Sequence, residues 1–587
     1  MDVNSDLVWT VAILVVTASV FGIWRLYRTG KSRLLPGIPY NETSSRRLFG
    51  DIPAIMEHTK HTEGGTFITY ILQTMKHLES PLIQIFLGPF SKPLLILGDF
   101  PEANDLLIRR RDFDRSHTLG DLVMGLAPNH HIRLKTDNAW KAQRRLVQDL
   151  MTPSFLHHVA GPGIYQSAIK TIHLWKAKSY IAAGRPWSAA SDINQMALDA
   201  IFAFTFGSEY PQCARQPALD LVLSMSQDTV SLTQKLGLDE SVEFPDVQGC
   251  PIFKAIRVLT ETVGEVQGNP FPALTWAYIT RKPKTKKAIK MKEDYVVEAL
   301  KSSVNSLRGM KSETSIKSAV DQMIMRETEL AEREGRLPNF FSRVIIDEVF
   351  GLIFAGHETT STTICWSLKY LADDPDAQSN LRSALQHAHH DAWEEKRDPT
   401  FQEIISTSVP YLDATIEETL RCCGTAPVVD RVALNDTILL GHHIPKGTVV
   451  SCLVTGPSLM SPAFDVEMSL RSPSSQAAIQ EGRHRAWRQK GISVFDPSRW
   501  IRKQDGEKGI EFDPASGPQL AFGLGTRGCY GKRLAYLELR IALTLIFWNF
   551  ELLRCPSSLS KYYSKLVTNN EPIQTYVRLR QIVQGES

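Results

Sequence analysis

The chain has 587 residues, 43% of them hydrophobic and 22% charged, with 66 lysines and arginines against 63 acidic residues and a net charge of +3. That composition excludes a disordered scaffold, a collagen and a multi-span transporter, and it gives no reason to expect a nucleic-acid binder. Length alone leaves room for one large domain or up to about four small ones.

The first element in chain order is apolar. Residues 7–24 read LVWTVAILVVTASVFGIW, 18 positions without a charge, where about 20 span a bilayer core. Asp2 and Asp6 precede the run, while Arg25, Arg28, Lys31 and Arg33 follow it. The positive-inside rule then predicts a single-pass anchor with a lumenal N-terminus and the bulk of the chain in the cytosol. A cleaved signal peptide, the competing reading, carries its basic residues ahead of the apolar core. The expected organisation is an anchor over 1–30 with its helix at about 7–24, then one domain over 31–587. The eight cysteines form no CxxC pair and no dense framework, as expected for reduced thiols in the cytosol. In that compartment the triplets at Asn41 and Asn435 stay unglycosylated. Residues 35–39 (LPGIP) predict a stiff, non-helical connector.

Short β-like pieces at 82–87 and 93–97 predict a small sheet near the start of the globule. From about 100 to 425 the texture is helical, with runs at 137–151, 192–206, 341–372 and 409–421. Residues 428–454 return to β texture. A helix is expected over 531–550 and a β-like tail over 573–579. No internal repeat appears, so the fold class predicted is a single, mainly α domain with small peripheral sheets. Residues 281–292 (RKPKTKKAIKMK) hold seven basic positions in twelve and predict a solvated loop, with contact to an anionic membrane surface as the alternative. Residues 469–490 (SLRSPSSQAAIQEGRHRAWRQK) are polar and serine-rich and predict an exposed excursion.

Residues 522–531 read FGLGTRGCYG. Glycines around one cysteine let the backbone pass close to a partner. Arg527, two positions before Cys529, is expected to favour the thiolate, as is the helix N-terminus that follows. This loop resembles the haem-binding signature of the cytochrome P450 family, Phe-x-x-Gly-x-Arg-x-Cys-x-Gly, with every fixed position met by Phe522, Gly525, Arg527, Cys529 and Gly531. A chance match is on the order of one in ten thousand at ordinary composition.

Three further matches follow the family's order. Residues 355–360 (AGHETT) lie in a long apolar helical run, where Ala355 and Gly356 leave room beside a planar cofactor. A mid-helix Thr can bond back to a carbonyl and bend the helix. The resemblance makes Glu358 and Thr359 the acid–alcohol pair of the oxygen-activating helix. Glu418 and Arg421 share a helix face, and with Arg499 in FDPSRW they match the family's buried structural ion network. Trp140 and Arg144, at i and i+4, match contacts to a haem carboxylate, as do Arg431 and Arg527. The resemblance spans about residues 35–585. Ser498 stands where acidic residues are common, and Cys422-Cys423-Gly424 departs from the frequent turn after Arg421. His387, His389 and His390 lie in a polar stretch ending in charged residues and are not read as metal ligands.

The resemblance implies haem b with its iron held by the Cys529 thiolate, and oxygenation of an apolar small molecule by O2. No nicotinamide or flavin fingerprint is present, so NADPH acts indirectly, through a membrane-bound NADPH–cytochrome reductase, with cytochrome b5 as a further donor. Lys532 and Arg533 beside the loop are expected contacts for an acidic partner. The expected setting is the endoplasmic reticulum membrane, with the segment texture resembling fungal members that tailor secondary metabolites. A reductase-independent haem-thiolate isomerase or dehydratase, and a non-enzymatic haem sensor, are the rival functions. Neither requires Glu358 and Thr359.

Overall fold

A computed structural model describes residues 34–582 except 90, 209–215, 226–234, 246, 248, 268, 270, 308–315, 489 and 504–508, together with the isolated positions 16, 17, 19 and 21. The expected anchor at 7–24 lies outside the described residues apart from those four positions. No helix among the described residues is long and apolar enough to cross a membrane.

Six helices frame the site: α1 (Asn138–Val147), α2 (Gly161–Ala182), α3 (Ala190–Phe206), α4 (Arg343–Asp373), α5 (Pro410–Cys423) and α6 (Lys532–Asn549). The ends of α1, α3, α4, α5 and α6 fall within a few residues of the hydrophobic periodicity. Asp137 accepts the Trp140 N–H at 2.9 Å at the start of α1, and Ser342 caps α4 by accepting from Ile345. Pro410 opens α5, where its missing N–H costs nothing. α4 runs through the core against α3, α5 and α6. Its run of β-branched and hydroxyl residues after Glu358 is poor helix-forming sequence. The hydroxyls compensate by bonding to their own helix: Thr359 to Ala355 O at 2.8 Å, Thr363 to Thr359 O at 2.9 Å and Ser367 to Thr363 O at 3.0 Å.

The largest sheet has the order β1 (Leu82–Ile85), β2 (Leu94–Leu97), β5 (Val449–Leu453), β4 (Val428–Ala433), β3 (Phe113–Arg115). Only β2–β5 is parallel, and a parallel pair needs a long crossover; here it is most of the helical body. The β3–β4 register sets Arg115 directly opposite Arg431. A smaller sheet joins Phe550–Leu553, Tyr576–Gln581 and Trp187–Ser188, and the hairpin Ser564–Leu566/Asn570–Pro572 packs beside α4.

One expectation is corrected. The basic stretch 281–292 is mostly the start of a helix, Pro283–Leu307. Its lysines lie on the outer face, except Lys292, which is 1% exposed and donates to Leu126 O at 2.9 Å. Thr285, Ala288 and Lys292 supply the buried stripe, and a stripe containing lysine and threonine hides the period in a hydropathy reading. The stretch 469–490 is largely exposed, as expected, and it is tied to the globule. Arg471 forms a bidentate pair with Asp99 at 2.6 and 2.8 Å, and Ser472 and Ser474 donate to Asp105. A short helix, Pro473–Gln480, follows, and Trp487 is buried.

Candidate active site

The Cys529 loop is held by its backbone. Cys529 N donates to Phe522 O at 2.7 Å, and Gly528 N to Gly525 O at 3.0 Å. Gly525 has φ +70°, and a Cβ there would sit 2.2 Å from Leu107 O, so only glycine fits. Phe522 packs on Tyr536 with ring centres 5.3 Å apart. Cys529 is exposed as a residue, yet desolvation of its thiol by the surrounding protein pushes the thiol up. The Gly531 amide at the start of α6, Arg115, Lys532 and Arg144 pull it the other way. The Arg527 guanidinium turns to Leu134 O, at 2.9 Å, and to the Trp140 ring, at 4.8 Å.

Four arginines converge beside this loop. Arg144 lies 3.9 Å over the Tyr530 ring and 5.9 Å from the Trp140 ring. Arg115 reaches Arg527 O at 3.5 Å, and Arg431 ties β4 to the loop through Leu524 O at 3.4 Å. Burial, with neighbouring like charges adding to it, pushes Arg115 and Arg527 down to about 10. Burial lowers Arg144 and Arg431 as well. Arg144 Nη1, Arg527 Nη2 and Arg115 Nε are buried without a hydrogen-bond acceptor. Buried donors are normally paired, and clustered cations normally have counter-charges. A planar cofactor carrying two carboxylates supplies both, next to a cysteine able to ligate its iron, so the donor set fits haem. Trp140, Arg144, Arg431 and Arg527 come together as the sequence pairs them. Arg115 was not singled out, because a three-residue strand gives it no sequence context. Its position opposite Arg431 is a product of the sheet register.

On α4, Ala355 is exposed although the helix is largely buried, and Thr359 stands on the same stripe one turn on. Gly356 is different. A Cβ there would lie 2.5 Å from Ile201 Cδ1, so this glycine permits the α3–α4 approach and faces away from the Ala355 stripe. Glu358 and Thr359 are not bonded to each other. Glu358 Oε2 accepts from Thr568 Oγ1 at 2.5 Å. Burial pushes its carboxyl up to about 7, with the Thr568 hydrogen bond opposing. His357 Nδ1–H donates to Ile353 O, 2.8 Å away, and burial pushes the ring down to about 4.

Below the loop, Glu418 and Arg421 form a fully buried bidentate pair at 2.8 and 2.7 Å. Arg499 Nε and Trp500 Nε1 each donate to Glu418 at 2.9 Å. Arg421 reaches the carbonyls of Leu459, Ile492 and Val494, so the pair pins the otherwise irregular segment 459–500. His387, His389 and His390 form no cluster of metal-ligating groups; among the described residues that distinction belongs to His130, His131 and Glu348. Lys532 and Arg533 are both exposed, and Arg533 also donates to Met151 O.

The family model for cytochrome P450 matches residues 52–459 and 493–577. The unmatched interval contains the Ser-rich segment 469–490. Cytochrome P450 monooxygenase TRI13 of Fusarium sporotrichioides is 40% identical over 578 residues, covering 96% of this chain and 98% of that protein. Cytochrome P450 monooxygenase xilC of Penicillium rubens is 34% identical over 553 residues, 93% of this chain and 92% of that protein. The crystal structure of the cytochrome P450DA heme domain shares the fold with a TM-score of 0.64 at 18% identity, over 94% of this chain and 98% of that one. A cysteine in a glycine-rich loop beside clustered, partly unsatisfied arginines, on a helical body matched over nearly its whole length, places the chain in the cytochrome P450 family, among monooxygenases.

Proposed function

We propose that the protein is a haem-thiolate monooxygenase that oxidises an apolar small molecule, an intermediate of fungal secondary metabolism. The observation that carries this reading is the convergence of Cys529 with the guanidinium groups of Arg115, Arg144 and Arg527, each with one buried nitrogen that has no acceptor. Haem b, when bound, supplies O2 reduction and oxygen insertion into a C–H or C=C bond; the cysteinate donates electron density that favours O–O cleavage. Cys529 would ligate the iron, and the arginines and Trp140 would hold the carboxylates. Glu358, with a pKa near neutrality, exchanges a proton with solvent, and the Thr359 hydroxyl presents one on the Ala355 side of α4. NADPH-derived electrons arrive from a reductase docking by Lys532 and Arg533, with cytochrome b5 as a second donor. Relatives named as monooxygenases in Fusarium and Penicillium support the fungal setting. We further propose that residues 7–24 anchor the protein in the endoplasmic reticulum membrane with the catalytic domain in the cytosol.

The reduced, carbon-monoxide difference spectrum tests the cofactor assignment. A thiolate-type Soret band in the parent protein, lost in Cys529→Ala, is expected; its absence from the parent overturns the reading. Reductase-dependent NADPH consumption then separates monooxygenase from isomerase. Comparing metabolites of deletion and parent strains identifies the substrate.

A further inference from the structure

Glu348 lies on α4, two turns before Ala355, and is 1% exposed. Its Oε1 accepts the His131 backbone N–H at 2.7 Å, and its Oε2 lies 2.6 Å from His131 Nδ1. His130 Nε2 lies 3.4 Å from the same Oε2. One turn on, α4 carries no side chain at Gly351, where a Cβ would sit 2.1 Å from His130 Nε2. The His130 ring fills that notch while Glu348 hooks the next residue. Gly351, Ala355 and Thr359 recur every four residues on one stripe of α4, so the docked turn continues the surface that Ala355 exposes.

The hydrogen bonds lead from this turn to the arginines. Ile132 N donates to His130 Nδ1 at 3.2 Å, and His131–Arg133 make one 3-10 turn. Leu134 O, immediately after it, receives Arg527 Nη1 at 2.9 Å, and Thr136 Oγ1 receives the same nitrogen at 3.2 Å. The Glu348 charge also acts directly on Arg144. One buried carboxylate thus fixes the segment that aims Arg527 and faces Arg144.

The three ligand atoms of His130, His131 and Glu348 lie within 4.8 Å of one another, which is compatible with a metal site. The surroundings argue against one. The Ile132 N–H occupies the Nδ1 lone pair of His130, so a neutral ring carries its proton on Nε2, the atom turned to Glu348. Arg144, Arg527 and Arg115 all act on His131, and their charge opposes a divalent cation. The arrangement is a carboxylate clamped by imidazole and amide donors.

We propose that Glu348, acting through the His130–His131 turn docked at Gly351, is a positioning residue for Arg144 and Arg527 and thereby for retention of haem. The proposal rests on the haem reading above. Its test is transfer of haem from the purified holoenzyme to excess apomyoglobin, with the propionate bending bands followed by resonance Raman. Glu348→Gln keeps the size of the side chain and is expected to release haem on the order of tenfold faster and to shift those bands. Gly351→Ala, which expels the His130 ring, is expected to act in the same direction, and the surface variant Glu298→Gln to leave both readouts unchanged. Wild-type release and unshifted bands in both Glu348→Gln and Gly351→Ala overturn the proposal. So does acceleration of wild-type release by EDTA with restoration by zinc, which would make the triad a metal site. Failure of the haem reading is distinct: the parent protein would then lack the thiolate-type spectrum altogether.

Discussion

Thr568, in the turn of the C-terminal hairpin, donates its hydroxyl to Glu358 at 2.5 Å, while Thr359 gives its own to Ala355 O at 2.8 Å. The carboxyl of the expected acid–alcohol pair is therefore held by a segment 210 residues away in sequence and is free of its neighbour. Burial raises Glu358 to about 7, and the Thr568 hydrogen bond limits that rise. A group with that pKa is protonated below neutrality and charged above it, so reductase-supported NADPH oxidation should fall as pH rises through about 7. Thr568→Val removes a bond that favours the carboxylate and should move this limb to higher pH. Glu358→Gln should abolish the limb and lower the plateau.

Glu538 on α6 makes a second pH-dependent prediction, about stability. It is buried, its Oε1 has no partner, and burial pushes it up to about 8, opposed by a hydrogen bond with Thr360. The folded protein holds this proton while the unfolded chain releases it near the ordinary value of 4.5. In that window the unfolded state binds fewer protons, so stability is greatest at the acid end and declines as pH rises from 4.5 through 8. Glu358 adds a decline of the same sign between 4.5 and about 7. Each proton contributes up to about 1.4 kcal/mol per pH unit. The thermal midpoint, scanned across this range, should decline less steeply in Glu538→Gln than in the parent chain.

The buried ion pair between Glu418 and Arg421 predicts severe single-site effects. Truncating Glu418 to Ala strands Arg421, which is fully buried, and Arg499, and should cost about 3–5 kcal/mol. The segment 459–500 should become protease-sensitive first, because Arg421 bonds three of its carbonyls. By contrast, Lys561→Ala removes an exposed pair with Glu63 and should leave stability nearly unchanged. Urea midpoints of the two variants, measured side by side, check the contrast.

The long helices were legible because their apolar stripes and caps are local: residues 341–372 and 409–421 mark Arg343–Asp373 and Pro410–Cys423 closely. The loop at 522–531 was legible because its glycines and cysteine are contiguous. What escaped was made by distant contacts. Arg115 joins the arginines through pairing with Arg431, and Glu358 finds Thr568 only after the C-terminal hairpin folds onto α4. Gly356 read as space for a cofactor but accommodates Ile201, a contact that no spacing along α4 announces. The helix over Pro283–Leu307 escaped because its buried stripe contains Lys292, whose stem packs while its ammonium finds Leu126 O.

Two glycines of the Cys529 loop should respond differently to the same added methyl. At Gly525, φ is +70° and the Cβ would meet Leu107 O at 2.2 Å, a backbone atom that cannot rotate away. Gly525→Ala should therefore disrupt the loop itself, lowering soluble yield and haem content together. At Gly531, φ is −78° and a Cβ meets no protein atom within 4 Å. Gly531→Ala should fold as well as the parent chain, so any change in its haem spectrum reports the approach of the cofactor to this position. Equal thermal midpoints with a displaced Soret band in Gly531→Ala are expected. An unchanged band would remove Gly531 from the cofactor-contacting set while leaving Cys529 as ligand, because the Cys529 N–H and the Phe522 carbonyl hold the loop independently of that glycine.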